Sequence, residues 1–240
     1  ELARIVAGEA RVAAFEDRFA AEAAAPGPGT LVLVTHGRDA PGDGGGATWI
    51  RATAEPGDAG KLQTADGVWW RLEAPDPSPE IFGARFDGAT DDTAALNAWA
   101  GYLRATGRAG RLPHGTAYCS GTLYFGGVTI RGAGGPSNAL AFTSRSVIRS
   151  DGNPMVTMAR FPGDAQAFFL THWEDFTLLG AGGTVAPVEL WDRASFPFQI
   201  GLWLGRGHEA METVAGGEAP SSGGAGNLTI RRVNVDSCSG

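Results

Sequence analysis

Glu189 and Asp192 flank Trp191 within four residues. Two carboxylates beside an indole can do acid–base work on a bond held against a flat apolar ring. The same trio also suits a solvated bend or a contact with a neighbouring chain, and the residue types alone leave these readings open. Other acidic residues of the C-terminal half include Asp164, Glu174, Asp175, Glu209, Glu212 and Asp236, and no signature selects a pair among them. Glu174 and Asp175 are adjacent, so in a regular strand they point to opposite faces. Trp173 and Trp203 are further rings that can stack on a ligand or pack between strands.

Other chemistry is less well supplied. Asp87, Asp91 and Asp92 crowd one stretch, but turn formation and helix capping explain them more simply than a cation does. His36, His114, His172 and His208 have no metal-ligand spacing. The loop Gly42-Asp43-Gly44-Gly45-Gly46 lacks the Lys-Ser/Thr that completes a phosphate cradle. Cys119 and Cys238 stand far apart and outside any C-x-x-C pattern, which favours two free thiols over a disulfide. No metal and no cofactor are expected.

The elements that position these groups fall into two parts. Residues 2–24 are rich in Ala, and Ile5, Val12 and Phe19 recur seven apart with Phe15 between them. This spacing predicts a helix that either self-associates or packs on its own domain, with Phe15 and Phe19 as candidate subunit or particle contacts. Short strands are predicted over 30–35, 47–52 and 68–72. Trp69 and Trp70 should face opposite sides of the last, and Trp70 is taken as the outward contact candidate. A Pro-rich linker over 76–80 closes this small α+β module, residues 1–75.

A second part covers 81–240. A helix is predicted over 92–106, capped by Thr90 or Asp91, with Leu96, Trp99 and Leu103 on one face and Gly107 ending it. Short β-like runs follow. Val128-Thr-Ile-Arg, Phe176-Thr-Leu-Leu and Leu228-Thr-Ile-Arg echo one another at intervals near 50 residues. If each interval holds two coils, a coil takes about 25 residues, within the range of a solenoid repeat. The fold class expected is therefore mainly β, a right-handed parallel β-helix behind a small α+β module.

Composition agrees. The chain has 240 residues, of which 37 are Gly and 14 Pro, about twice the usual share of Gly. Yet 43% of residues are hydrophobic and seven are Trp, so a disordered linker is excluded and a packed, turn-dense protein remains. The formal net charge of −7, without a basic stripe, argues against nucleic acid as a partner. No run of 18 apolar residues is present, so no membrane-spanning helix is expected. Glu1 is not a Met, and the last residues read as strand, so a longer polypeptide is expected at both ends.

The stretch Phe82-Gly-Ala-Arg-Phe-Asp-Gly-Ala-Thr-Asp-Asp-Thr-Ala-Ala-Leu resembles the opening motif of the pectate-lyase-like right-handed β-helix superfamily. Arg111-Leu-Pro-His-Gly-Thr-Ala-Tyr and Val128-Thr-Ile-Arg-Gly-Ala-Gly resemble the two signals that follow it there. The module carrying Ala40-Pro-Gly-Asp-Gly-Gly-Gly-Ala-Thr-Trp and Lys61-Leu-Gln-Thr-Ala-Asp-Gly-Val-Trp-Trp-Arg-Leu is similar to the one preceding the β-helix in many phage tailspikes, including spikes of gene transfer agents. The resemblance implies a homotrimeric spike on a virion or virion-like particle. Its N-terminal end would attach to other particle proteins, and its β-helix would meet bacterial surface polysaccharide. It also admits a polysaccharide depolymerase whose catalytic residues lie mostly beyond this chain. On that reading Trp191 and Trp203 are the candidate glycan-binding rings, and Glu189 and Asp192 the candidate catalytic carboxylates.

Overall fold

The computed structural model describes residues 11–133, 146–151, 156–157, 162, 172–180, 188–189, 229–231 and 234–236. The chain divides into two compact units, Glu1–Gly83 and Ala84–Gly240.

The first unit is a five-stranded sheet with one short helix. Its strands are β1 (Arg11–Phe15), β2 (Thr30–Thr35), β3 (Ala47–Arg51), β4 (Lys61–Gln63) and β5 (Trp69–Leu72), in the order β1-β2-β3-β5-β4. Helix α1 (Arg18–Ala23) carries the chain from β1 to β2, so those two strands run parallel while the other pairs are antiparallel. The helix predicted over 2–24 is thus replaced, in its described part, by a strand and a six-residue helix. Asp17 decides where α1 begins: it is extended, and its carboxylate takes the Ala20 N–H at 2.7 Å. Pairing with β2 overrides the helical propensity of the Ala-rich stretch before it. Ile5 lies outside the described residues.

Period-2 alternation sorts the tryptophans. Trp70 is wholly buried and Trp69 half-buried, so Trp69, not Trp70, is the outward ring of the pair. Trp49 and Trp70 each donate their indole N–H to a buried threonine, Thr35 Oγ1 at 3.3 Å and Thr64 Oγ1 at 3.1 Å. Arg18 and Arg51 lie over the two rings, 5.5 and 5.8 Å from their centroids. The Pro-rich stretch belongs to this unit. Ser78 caps a 3-10 turn over Pro79–Phe82, and Gly83 ends it at φ 106°, a conformation that favours glycine.

The second unit is a stack of parallel strands. Its opening loop contains β6 (Asp87–Asp91), and helix α2 (Thr93–Thr106) follows. Strands then come in threes: β7 (Ala109–Arg111), β8 (Gly115–Cys119) and β9 (Leu123–Tyr124); β10 (Thr129–Arg131), β11 (Ser146–Ser150) and β12 (Val156–Thr157); β13 (His172–Glu174), β14 (Thr177–Gly180) and β15 (Val188–Glu189). β16 (Thr229–Arg231) and β17 (Asn234–Asp236) begin the next round. Each strand pairs in parallel with its counterpart one round on, giving sheets β7-β10-β13-β16, β6-β8-β11-β14-β17 and β9-β12-β15.

The register corrects the repeat read from the sequence. Thr129 pairs with His172, and His172 with Thr229, so the echoing runs at 128 and 228 share a sheet but lie two rounds apart. The run at 176 belongs to a different sheet, where Thr177 pairs with Val147. The span from 128 to 228 therefore holds two rounds rather than four. The run at 198–205, expected midway, lies outside the described residues.

Helix α2 covers one end of the stack. Leu96, Trp99, Ala100, Tyr102 and Leu103 are buried, including the three residues expected on the packing face. Trp99 meets Phe125 edge-to-face at 6.2 Å, and Phe125 meets Trp173 the same way at 6.1 Å, so an aromatic file joins cap to coils. Gly110 sits under Trp99 and Leu103, where a Cβ would overlap both side chains. Asn97 Nδ2 donates to the Thr122 carbonyl at 3.1 Å, and its Oδ1 accepts from the Tyr124 N–H at 2.9 Å. Arg104 Nη1 donates to the Tyr124 and Gly126 carbonyls at 2.8 and 3.1 Å. These side chains supply the open edge of β9 with the partners a further strand would bring.

Replacing Asn97 with Ala should lower the unfolding free energy by about 1–3 kcal/mol, because a half-buried strand edge loses both partners. Urea denaturation measures this. An unchanged midpoint at unchanged slope would mean that water serves the edge equally well.

Candidate functional site

The three aspartates of the opening loop hold the cap in place. Asp92 is buried, and its carboxylate accepts the Arg85 N–H at 2.7 Å and the Phe86 N–H at 3.1 Å. Its own N–H donates to the Tyr118 carbonyl at 2.7 Å, and its carbonyl takes the first helical bond, from Leu96. Burial pushes the Asp92 carboxyl up, against those two N–H donors and in concert with the charges of Asp87 and Asp91. Asp87 is held down at about 2 by the Thr90 and Ala89 N–H groups and the Thr90 hydroxyl. Asp91 is likewise at about 2, through the Ser120 hydroxyl first and then the hydroxyl and N–H of Thr93. The N-cap is Asp92, one or two residues later than expected. The carboxylate that serves the first turn is Asp91, through the Thr93 N–H. Among the described residues, no group of three or more His, Cys, Asp or Glu could hold a metal ion.

This arrangement also builds a surface. In the β6-β8-β11 sheet Asp91, Tyr118 and Arg149 fall in one cross-strand row. Tyr118 donates its hydroxyl to Asp151 Oδ2 at 2.7 Å, and that bond raises its pKa and keeps it a neutral donor. The Arg149 guanidinium lies 4.9 Å from the centre of the Tyr118 ring, and its Nη2 donates to the Gly88 carbonyl at 3.2 Å. Asp91 and Asp151 are exposed, Tyr118 and Arg149 half-buried. The row offers acceptors, a donor, a cation and part of a ring to a ligand rich in hydroxyls. Asp91 offers no proton at neutral pH, since it titrates at about 2. A carboxylic general acid needs the opposite shift. Asp92 has that shift but is buried against its own backbone partners. On the neighbouring sheet Glu174 accepts Arg131 Nε at 2.9 Å and faces His172 Nε2 at 3.2 Å.

The residues selected from sequence are scattered. Glu189 ends β15 in register with Thr157. Trp191, Asp192 and Trp203 lie outside the described residues. Phe19 is 57% exposed, Val12 50%, and Phe15 half-buried. Asp175 adopts φ 63° just past β13, so it is not in regular strand. Cys119 is a buried free thiol, and burial drives its pKa well up, away from the thiolate form. Cys238 lies outside the described residues. The loop at Gly42–Gly46 is tied by Asp43, whose carboxylate accepts the N–H groups of Arg38, Asp39, Ala40 and Gly45. Burial pushes that carboxyl up, and the four donors outweigh it. Sequence reading missed the Tyr118–Arg149–Asp151 group. Tyr118 was read as part of a family signal, and Arg149 reaches it only through strand register.

No protein-family model and no curated protein matches the sequence. Solved structures do. The chain is similar to a tailspike protein of an Acinetobacter phage, with TM-score 0.54 and 16% identity over 75% of this chain and 31% of that one. This chain has a tailspike-like fold. WceF of Pantoea stewartii, a glycan biofilm modifying enzyme with a bacteriophage tailspike-like parallel β-helix fold, has TM-score 0.50 and 18% identity over 74% of this chain and 26% of its own. The enzymatically active domain of tailspike protein 2 of bacteriophage CBA120 has TM-score 0.50 and 16% identity over 78% and 28%. The tailspike-like chain thus spans less than a third of the length of each. Among the described residues, no helix is long and apolar enough to cross a membrane.

Asp87 and Asp91 make stability depend on acid in a definite direction. Their folded pKa values, about 2, lie below the ordinary 3.8, so their contribution is full above about pH 4 and lost as pH falls towards 2. The raised pKa of Asp92 works the other way, so the ionised Asp92 costs stability at neutral pH. Asp91→Asn should flatten the acid limb of the melting temperature between about pH 4 and 2. A limb as steep as that of the parent chain would remove Asp91 from this role.

Proposed function

We propose that this chain is the base of a spike of a phage or phage-like particle, gene transfer agents included, and that it binds cell-surface polysaccharide. The observation that carries the reading is the parallel strand stack, with its tailspike-like neighbours and a row of polar, charged and aromatic groups at Asp91, Tyr118, Arg149 and Asp151. On this reading the stack is a right-handed β-helix, the spike is a homotrimer on the particle surface, and the first unit attaches it to other particle proteins. Phe15, Phe19 and Val12 are the contact candidates there, with Trp69 in place of the buried Trp70. Three identical sites on one rod gain avidity of about 10²–10⁴ over a single site.

A second reading is a polysaccharide depolymerase, hydrolase or lyase. It is favoured by two neighbours that are themselves described as enzymes, one glycan-modifying. Glu189 and Asp192 are its candidate carboxylates, and Trp191 and Trp203 the rings that would hold the sugar. Hydrolysis needs two carboxylates about 5–5.5 or 6.5–9.5 Å apart, according to mechanism.

The full-length protein incubated with capsular polysaccharide should bind it, and Tyr118→Ala should weaken binding about tenfold. Binding without release of reducing ends or unsaturated sugars would sink the depolymerase. Light scattering at micromolar concentration should give three times the chain mass, and a monomer would defeat the spike.

A further inference from the structure

Strand register on the β7-β10-β13-β16 sheet brings together charges that lie far apart in the sequence. Arg111 pairs with Arg131, and Arg131 with Glu174. Arg231 takes the next register position, opposite Glu174. In-register neighbours of a parallel sheet share a face, because side chains alternate with period two. For the described side chains that face is the outward one. Gly110, Ile130 and Trp173 alternate with the row and are buried, whereas Arg111 and Arg131 are exposed.

The row holds three arginines against one glutamate, in a chain whose formal net charge is −7. The glutamate is already satisfied: Glu174 is half-buried, with Arg131 Nε at 2.9 Å and His172 Nε2 at 3.2 Å. Arg131 reaches it through Nε, and its side chain is still 58% exposed. Arg111 forms no ion pair among the described residues. A guanidinium fork fits a carboxylate better than any other common anion of a biological surface except phosphate.

A second row lies two residues back on the same face. Ala109, Thr129, His172 and Thr229 occupy its register positions. Thr129 and His172 are half-buried there and bring a hydroxyl and an imidazole, about 7 Å along the strand from the charged row. Successive strands are about 4.8 Å apart, close to the length of one sugar unit in a chain that runs along the stack.

We infer that this face binds an acidic polysaccharide lying along the stack, with its carboxylates on the row of Arg111 and Arg131 and its hydroxyls towards Thr129 and His172. The inference rests on the polysaccharide reading and names the charge class of the ligand, on a different sheet from the Tyr118 row. A neutral glycan leaves the arginines unmatched. An acidic polypeptide brings no hydroxyls to the second row.

The test titrates the full chain with alginate oligosaccharides, which carry a carboxylate on every sugar, and reads binding heat. Saturable binding is expected, weakening as NaCl rises. Arg111→Glu sets a like charge against the ligand at an exposed position and should raise the Kd at least tenfold, with Arg111→Gln between it and the parent chain. Arg71→Glu makes the same change of net charge at an exposed position of the first unit and should leave the Kd unchanged. Parent-like binding by both Arg111 variants overturns the inference, as does an equal loss in Arg71→Glu, equal binding of neutral dextran or equal competition by poly-glutamate. If Arg111→Glu lowers the mass seen by light scattering but leaves alginate binding intact, the row is a contact between copies of the chain and the inference fails. If capsular polysaccharide binds in a Tyr118-dependent way and alginate does not bind, the inference falls and the polysaccharide reading stands. If no polysaccharide, acidic or neutral, binds the parent chain, both fall.

Discussion

A stack of parallel strands has an end, and at that end every strand presents unpaired N–H and C=O groups. Left bare, such an edge costs free energy where it is buried and recruits other chains where it is exposed. In the second unit this constraint is met piece by piece. Asn97 and Arg104 serve β9. Asp92 offers its own N–H to Tyr118 of β8 while its side chain gathers the Arg85 and Phe86 N–H groups. Asp91 and Thr93 accept the N–H groups of Ser120 and Gly121 beyond β8. The aromatic file Trp99–Phe125–Trp173 then carries the packing of the cap into the coils.

The same constraint explains why residues that look reactive are not. Three aspartates within six positions resemble a cation site on paper. In the fold they are hydrogen-bond acceptors for a loop that must bend sharply, with Phe86 at φ 53° and Gly88 at φ 76°. Asp87 and Asp91, which accept several N–H and O–H groups at the surface, titrate low and stay ionised, while Asp92 is pushed up by burial but is spent on its backbone partners. What reaches the surface is the by-product of this bracing: the Asp91 row, extended by Tyr118 and Arg149 because strand register places them there.

The strength of the sequence signal varied with how local the deciding interaction was. The cap helix was legible because its apolar face, its acidic start and Gly107 are all local. Three of the five strands of the first unit, β2, β3 and β5, were legible for the same reason. The helix over 2–24 was misread because Ala content and a seven-residue spacing say nothing of a neighbouring strand that pairs with Arg11–Phe15. Alternation separated Trp69 from Trp70, but it could not say which was inside. That depends on Thr64 and Arg51, six and nineteen positions away and brought close only by folding. The echo near 50 residues misled because a solenoid reuses one strand pattern in every sheet, so similarity between two runs does not reveal whether they stack.

Coil length bears on where specificity resides. Paired strands are a few residues long in every round, yet the chain between partners grows from Ala109–Thr129 to Thr129–His172 to His172–Thr229. Strand pairing sets the length of a strand, and nothing in that pairing limits the sequence between strands. Long connections are costly only through loop closure, which rises slowly with length. A stack braced at one end can therefore carry successively longer connections on an unchanged core. Glu189, Trp191, Asp192 and Trp203 all fall in the longest of these sequence intervals, His172–Thr229.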